Sequence, residues 1–283
     1  MVKKLLCGAL VSLSVLCSSC GDSNKHSDRD DMALRGKVKS VTEKQYHAIL
    51  SETGDVVKGS FFRMDGEWDF TEKFNSKGMF TSVSFLDRDG DTISKRIYEY
   101  DEDGKLATKS FYDPSLKVKS QYEYDASGRV KLVYDFDADG DLMLATTTEY
   151  NDDNRIETTT SFNKQGKYLE QSVSQKNKLG FVTDFKYYNN ERKLGNWRKE
   201  VHADDGRLLE MTVLNQDESV AFMVKYEYNK QGDLVLSAPF SDDEEYIADR
   251  YHYEYDKKSN WRKRIHFKGD SAFSVTERII EYY

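Results

Sequence analysis

Cysteine is missing from all but the start of this chain. Its three cysteines are Cys7, Cys17 and Cys20, which excludes disulfides and thiol chemistry from everything that follows. A chain of 283 residues is long enough to be stabilised by burial and hydrogen bonding alone. Proline occurs twice, at Pro114 and Pro239, and Pro114 marks one corner where Leu116 stands in place of the usual glycine, a corner of different geometry. Helical periodicity is absent after the first residues. An excess of positive charge is absent too: the formal net charge is −8 with both signs interspersed, which speaks against nucleic acid as a partner. There is no G-x-S-x-G elbow, no phosphate-binding glycine loop, no dinucleotide fingerprint and no zinc-protease spacing among the histidines.

What is present begins with a leader. Met1-Val2-Lys3-Lys4 precedes the apolar stretch Leu5–Leu16, and Ser18-Ser19-Cys20-Gly21 supplies small residues, the order of a secretion signal. The apolar run is too short to span a bilayer as a permanent helix. Ser18-Ser19-Cys20 resembles the lipobox of bacterial lipoproteins, with Cys17 where an aliphatic residue is usual. That resemblance implies a signal peptide over 1–19 and acylation of Cys20; an ordinary secretory signal cleaved nearby is the alternative. Loss of Lys3 and Lys4 takes the charge from −8 to −10. Residues 20–32 lack a stretch to bury and read as a flexible tether, ahead of one domain over 33–283.

That domain repeats one unit: an aromatic or apolar residue, Asp or Asn, two variable residues, Gly, a polar residue and an apolar one. Clear copies start at Phe74, Tyr100, Tyr124, Phe136, Phe162 and Tyr228. The Asp or Asn caps a type I turn and Gly takes the left-handed conformation after it, which makes each unit a hairpin corner. At Asn154 and Ser259 other residues replace the glycine. The stretch Tyr187–Trp197 reads as a longer loop around Asn189-Asn190-Glu191, either an insertion or an extended turn. Between corners, apolar residues alternate, as in Val130, Leu132, Tyr134 and Phe136 or Val220, Phe222, Val224, Tyr226 and Tyr228. About eighteen strands would make a flat sheet about 86 Å wide, beyond what an open sheet sustains without curling. The expected fold is therefore all-β: a long antiparallel meander of tandem hairpins in a curled or rolled open sheet.

Tyr98-Glu99-Tyr100-Asp101, Tyr122-Glu123-Tyr124-Asp125, Tyr226-Glu227-Tyr228-Asn229 and Tyr253-Glu254-Tyr255-Asp256 resemble the YD repeats of RHS-type proteins. The resemblance implies curved or spiral antiparallel sheets, in some members closing into a shell around a C-terminal toxin. Here the repeats run to Glu281-Tyr282-Tyr283, so no toxin domain is expected. Leu34–Val41 and Ser259-Asn260-Trp261-Arg262-Lys263 look more like small YD-repeat lipoproteins of Gram-negative bacteria.

Candidate chemistry is sparse. His47, His202, His252 and His266 are explained by packing or solvent exposure. Asp135-Phe136-Asp137-Ala138-Asp139-Gly140-Asp141 reproduces the start of a calcium loop, but Thr146 stands where the closing glutamate would be, so an acidic turn is expected and no metal or cofactor. The 50 acidic residues leave a carboxylate pair of the glycosidase kind open. Trp197 and Trp261 are the candidate ligand-contact aromatics. The expectation is a lipid-anchored cell-envelope protein, not an enzyme, acting as a binding or scaffold module for an envelope protein or glycan. A carbohydrate-binding surface lipoprotein is the alternative, and a hydrolase using acidic residues a third. Gly21 in place of Asp after Cys20 favours the outer membrane, on either side of it.

Overall fold

The computed structural model describes residues 27–62, 69–240 and 246–283. The leader, Cys20 and the first part of the tether lie outside the described residues. One helical turn, α1 (Asp28–Asp31), precedes nineteen strands: β1 (Val38–Leu50), β2 (Val56–Phe61), β3 (Asp69–Phe74), β4 (Phe80–Leu86), β5 (Thr92–Tyr100), β6 (Leu106–Tyr112), β7 (Lys117–Tyr124), β8 (Val130–Phe136), β9 (Leu142–Asn151), β10 (Ile156–Asn163), β11 (Tyr168–Lys176), β12 (Val182–Tyr188), β13 (Leu194–His202), β14 (Leu208–Leu214), β15 (Val220–Tyr228), β16 (Leu234–Phe240), β17 (Asp249–Tyr255), β18 (Trp261–Lys268) and β19 (Ser271–Tyr282). All belong to one sheet, and the registers are antiparallel.

The corners are hairpins, as expected. At Asp125 the backbone N–H donates to the Arg129 carbonyl (2.8 Å) and the backbone carbonyl accepts the Gly128 N–H (2.9 Å). The Asp125 Oδ1 accepts the N–H groups of Ser127 and Arg129, both at 2.9 Å. Gly128 has φ +81°, a conformation that a side chain disfavours. Asp87, Asp137, Asn163, Asn177, Asn189, Asn229 and Asp256 do the same with their side-chain oxygens. Two local readings are corrected. Between β9 and β10 the left-handed residue is Arg155 (φ +53°) rather than Asn154. The stretch after Tyr187 is an ordinary corner with Arg192 (φ +61°) in the glycine's place, not a longer loop.

By their contacts the strands fall into two compact units. The first comprises the described residues through Lys95, His252–Phe267 and Ser271–Tyr283. Here the expectation of an open sheet is corrected. β1 pairs with β19 from Val38↔Tyr282 to His47↔Ser274, while its other side pairs with β3 over Ser40–Glu43 and with β2 over Tyr46–Leu50. An edge strand leaves a row of unpaired N–H and C=O groups, and joining the first strand to the last satisfies them. Leu34, Val38, Val41 and Phe74 are buried together, with Met32, Phe80, Ile280 and Tyr282 packed on them.

The end of the expected tether is also corrected. Ser27 caps α1 in a reciprocal capping box with Asp30, the Asp28 carboxylate accepts the Phe80 N–H at 2.6 Å, and the Arg29 N–H donates to the Gly78 carbonyl at 3.0 Å. Ser27–Met32 is thus docked. The Ser-x-x-Asp spacing that announces such a cap is present in the sequence.

The second unit comprises Arg96–Tyr251 and Lys268–Asp270. The registers from β7 to β15 assign its side chains to two faces. One, buried or half-buried, carries Ser120, Tyr122, Thr146, Ser161, Arg198, Val224 and Tyr226; on the other, Lys119, Glu123, Glu149, Lys199, Lys225 and Glu227 are exposed. The apolar row Leu132-Tyr134-Phe136 falls on the charged face, against Glu123, Gln121 and Lys119, whereas the row Phe222-Val224-Tyr226 falls on the buried one. Alternation within a strand reveals two faces without saying which is covered.

The tyrosine of the repeat has a specific partner. The hydroxyl of Tyr124 donates to the Leu106 carbonyl (2.8 Å), that of Tyr150 to Val130 (2.8 Å) and that of Tyr228 to Leu208 (2.9 Å). Each acceptor follows the cation after an earlier glycine or its substitute, and that cation covers the same ring: Lys105 on Tyr124 at 5.4 Å, Arg129 on Tyr150 at 4.0 Å and Arg207 on Tyr228 at 5.4 Å. The words Tyr-Asp and Gly-Lys-Leu are therefore two halves of one staple between successive corners on the same side of the sheet.

Candidate functional site

The most concentrated chemistry lies on the buried face of the first unit. Glu43 on β1 stands opposite Arg278 on β19, and both side chains are nearly out of solvent. Arg278 Nε and Nη2 donate to Glu43 Oε1 at 2.6 and 2.5 Å. The same guanidinium lies 3.4 Å from the centre of the Trp261 ring, with Arg264 at 5.4 Å and the Tyr253 ring at 5.9 Å. Glu72 on β3 opposes Val41, and Phe70 opposes Glu43, so the two glutamates are diagonal neighbours on one face. Burial pushes the Glu72 carboxyl up to about 8; the Glu43 charge adds to this, and Arg278 opposes it. Its Oε2 is buried without a hydrogen-bond partner. The cluster pairs an ionised carboxylate, neutralised by arginine, with a carboxyl that stays protonated at neutral pH. A carboxyl that keeps its proton at neutral pH suits acid work when substrate can reach it. Here Trp261 and Arg278 pack against the cluster.

A separate open cavity of about 740 Å³ in the same unit is lined by His47, Phe61, Phe62, Asp87, Arg88 and Asp89. Among the described residues no group of His, Cys, Asp and Glu is arranged to hold a metal ion. In the calcium-like stretch, Asp137 Oδ1 accepts the N–H groups of Asp139 and Asp141, and Asp135 Oδ1 accepts the Ser120 hydroxyl at 2.6 Å. Those carboxylates serve a turn and a cross-strand bond. All four histidines of the domain pack on phenylalanines: His47 on Phe62, His202 on Phe181, His252 on Phe267 and His266 on Phe273. His202 also lies 3.0 Å from Glu200 Oε2 and 3.0 Å from the Gly206 carbonyl.

Neither Trp197 nor Trp261 is placed as a sugar platform. Trp197 and Trp261 are 8% and 7% exposed. The Trp197 indole N–H points to the Asp184 carboxylate at 3.2 Å, with the ammonium groups of Lys186 and Lys199 at 4.3 and 5.6 Å from its ring. Cations already lie over these rings, where a sugar would stack. Among the described residues the exposed aromatics are Tyr112 at the end of β6, Phe240 at the end of β16 and Tyr283 after β19. Sequence reasoning singled out Trp261 but not Glu43, Glu72 and Arg278, whose meeting depends on pairing the first strand with the last.

No family model matches the chain, and no curated protein matches it. Among solved structures it is similar to a porin-like protein from Bacteroides uniformis, at 11% identity and a TM-score of 0.42, covering 86% of this chain and 98% of that one. A porin-like protein from Bacteroides vulgatus is similar at 10% identity and a TM-score of 0.38, covering 87% and 98%. The Photorhabdus luminescens Tc holotoxin pore matches at 9% identity and a TM-score of 0.20, over 83% of this chain and 18% of that one. None of these likenesses assigns a function to the chain.

Proposed function

We propose that this protein is a lipid-anchored, water-facing β-repeat module of the bacterial cell envelope that acts by binding or scaffolding rather than by catalysis. The leader ending at Cys20 supports the anchor, and the chemistry of the exposed face supports the rest. An antiparallel sheet whose first and last strands join is also the arrangement by which chains cross an outer membrane as barrels. A membrane-spanning sheet turns an apolar band to lipid, and each lysine or arginine at the bilayer midplane costs about 2–4 kcal/mol. In the second unit this face exposes Lys119 and Glu123 on β7, Glu149 on β9, Lys199 on β13 and Lys225 and Glu227 on β15, alongside Met143 and Val201, a mixture suited to water rather than to lipid. Among the described residues no helix is long and apolar enough to cross a membrane; in this reading a lipid on Cys20 holds the protein at the membrane.

The deciding experiment is fractionation of cells making the wild type and Cys20→Ala. The wild type is expected in the membrane fraction with an acylated N-terminus, and the variant as a folded protein released without detergent. A variant that stays integrally in the membrane would show that strands, not lipid, hold the protein there. A glycan-binding role is less well supported, because the candidate tryptophans are buried and the exposed aromatics are dispersed.

A further inference from the structure

We propose that one end of the first unit, formed by Ser27–Met32, the Asn75–Gly78 corner and the Asp256–Ser259 corner, is a docking surface for an anionic phospholipid bilayer, so that the lipid anchor holds the domain in one orientation. The inference rests on Cys20 being the lipidated residue and adds which surface faces the membrane.

Two observations carry it. The first is reach. Gly21–His26 are all that separate Cys20 from Ser27, a span of at most about 25 Å when extended and roughly 15 Å as a coil. Ser27 is fixed to this end of the domain: the position that a Cβ on Gly78 would take lies 2.6 Å from Ser27 Oγ, Asp28 accepts the Phe80 N–H, and Arg29 is bonded to the Gly78 carbonyl. The remaining parts of the surface are tied in as well. The Arg35 N–H donates to Asn260 Oδ1 at 2.7 Å, Asn260 Nδ2 donates back to the Arg35 carbonyl at 2.8 Å, and the Tyr283 hydroxyl donates to the Phe74 carbonyl. A lipid on Cys20 must therefore bring this end, rather than the far hairpin, to the headgroups.

The second observation is charge. On a chain whose net charge is −8, this end exposes Lys37, Lys39, Lys73, Lys77, Lys257 and Lys258. Against them stand the exposed Asp30, Asp31 and Glu281, Asp30 also serving the Ser27 cap, while Asp28 and Asp256 are engaged by the Phe80 amide and the turn. Basic residues held within a Debye length of an anionic leaflet are attracted to it, each strengthening binding roughly fivefold. The opposite end of β1 carries instead the Ser51–Gly54 corner and the exposed Ile49 and Leu50, roughly 45 Å along the strand.

The test uses the mature, lipidated protein, whose own thiol would be blocked by acylation, leaving one introduced cysteine to label. A fluorophore on Ser76→Cys or on Ser51→Cys is read by energy transfer to a headgroup acceptor. The vesicles are phosphatidylethanolamine with phosphatidylglycerol, or phosphatidylcholine alone. Strong transfer is expected for the Ser76 label and weak transfer for the Ser51 label with phosphatidylglycerol present, the contrast shrinking with added salt and in the triple variant Lys37→Glu, Lys77→Glu, Lys257→Glu. Equal transfer from both labels, or a contrast indifferent to phosphatidylglycerol and salt, would overturn the proposal. Mass spectrometry of the cell-derived N-terminus tests acylation separately. Should Cys20 carry no lipid, co-sedimentation of the unanchored protein with the two kinds of vesicle decides the surface: at least tenfold stronger, salt-sensitive binding to phosphatidylglycerol supports it, and equal binding refutes it.

Discussion

A carboxyl that keeps its proton in the folded state makes stability depend on pH in the opposite sense to a salt-bridged acid. Glu72 is raised to about 8 from an ordinary value of 4.5. Between those values the folded state binds the proton and the unfolded state does not, so stability is greatest below pH 4.5 and is lost as pH rises through 8. At about 1.4 kcal/mol per pH unit, the loss is on the order of 5 kcal/mol. Glu72→Gln keeps the shape and removes the ionisation. Its denaturant midpoint is expected to change little from pH 5 to pH 9 through this site, while that of the wild type falls, so that the variant is the more stable protein at pH 9. Parallel midpoints for the two proteins would mean that Glu72 ionises normally. Glu43 is the counter-case: its charge is matched by Arg278, and Arg278→Ala would leave a buried carboxylate without its cation, a change that typically costs about 3–5 kcal/mol.

At the scale of the element, the repeated unit is two strands long, and the staple between its corners explains the identity of its aromatic residue. Phenylalanine would cover the sheet equally well at Tyr124, but it would lose the bond to the Leu106 carbonyl. Tyr124→Phe is therefore expected to lower stability by about 1 kcal/mol, and Tyr150→Phe and Tyr228→Phe by similar amounts; the Tyr228 effect adds to that of Tyr124, whereas Tyr150 bonds Val130, the cross-strand partner of Tyr124, so those two couple. Tyr112→Phe, at an exposed ring, serves as the control and should stay within about 0.5 kcal/mol of wild type. Urea denaturation of the four variants checks all of this. The corners themselves were legible in the sequence because Asp or Asn, two residues on, and Gly each answer a local backbone need. Where that need is met otherwise, reading failed: Arg155, Arg192 and Glu218 adopt positive φ without being glycine, and Ala203 heads a corner with no side-chain oxygen to offer while keeping both backbone bonds. The capping box at Ser27 was as local as any corner, yet it sat inside a segment whose composition suggested a tether. Composition reports what a segment could bury, not what it can dock against.

Over the whole molecule, the consequential feature is one that no local pattern announces. Glu43 and Arg278 lie 235 residues apart in sequence, and nothing near either one specifies the other. A meander of hairpins places each strand beside its neighbour automatically, but whether its two ends meet depends on the accumulated twist of the intervening strands. The candidate site inherits this property, because Glu43 and Glu72 come from the start of the chain while Arg278 and Trp261 come from its end. Joining the ends also carries the largest loop-closure cost in the fold, so β1 and β19 should gain most from a covalent link. Thr42 and Ile279 are directly opposed, Ile279 is exposed, and the residues after Cys20 contain no cysteine to compete. The pair Thr42→Cys with Ile279→Cys is expected to oxidise within one chain, giving a species of shifted mobility on non-reducing gels, and to raise stability by about 5 kcal/mol if chain entropy dominates. Thiols that stay reduced under mild oxidant, or that pair only between chains, would show that the first and last strands are not neighbours, and with them the acid-arginine-tryptophan cluster would come apart.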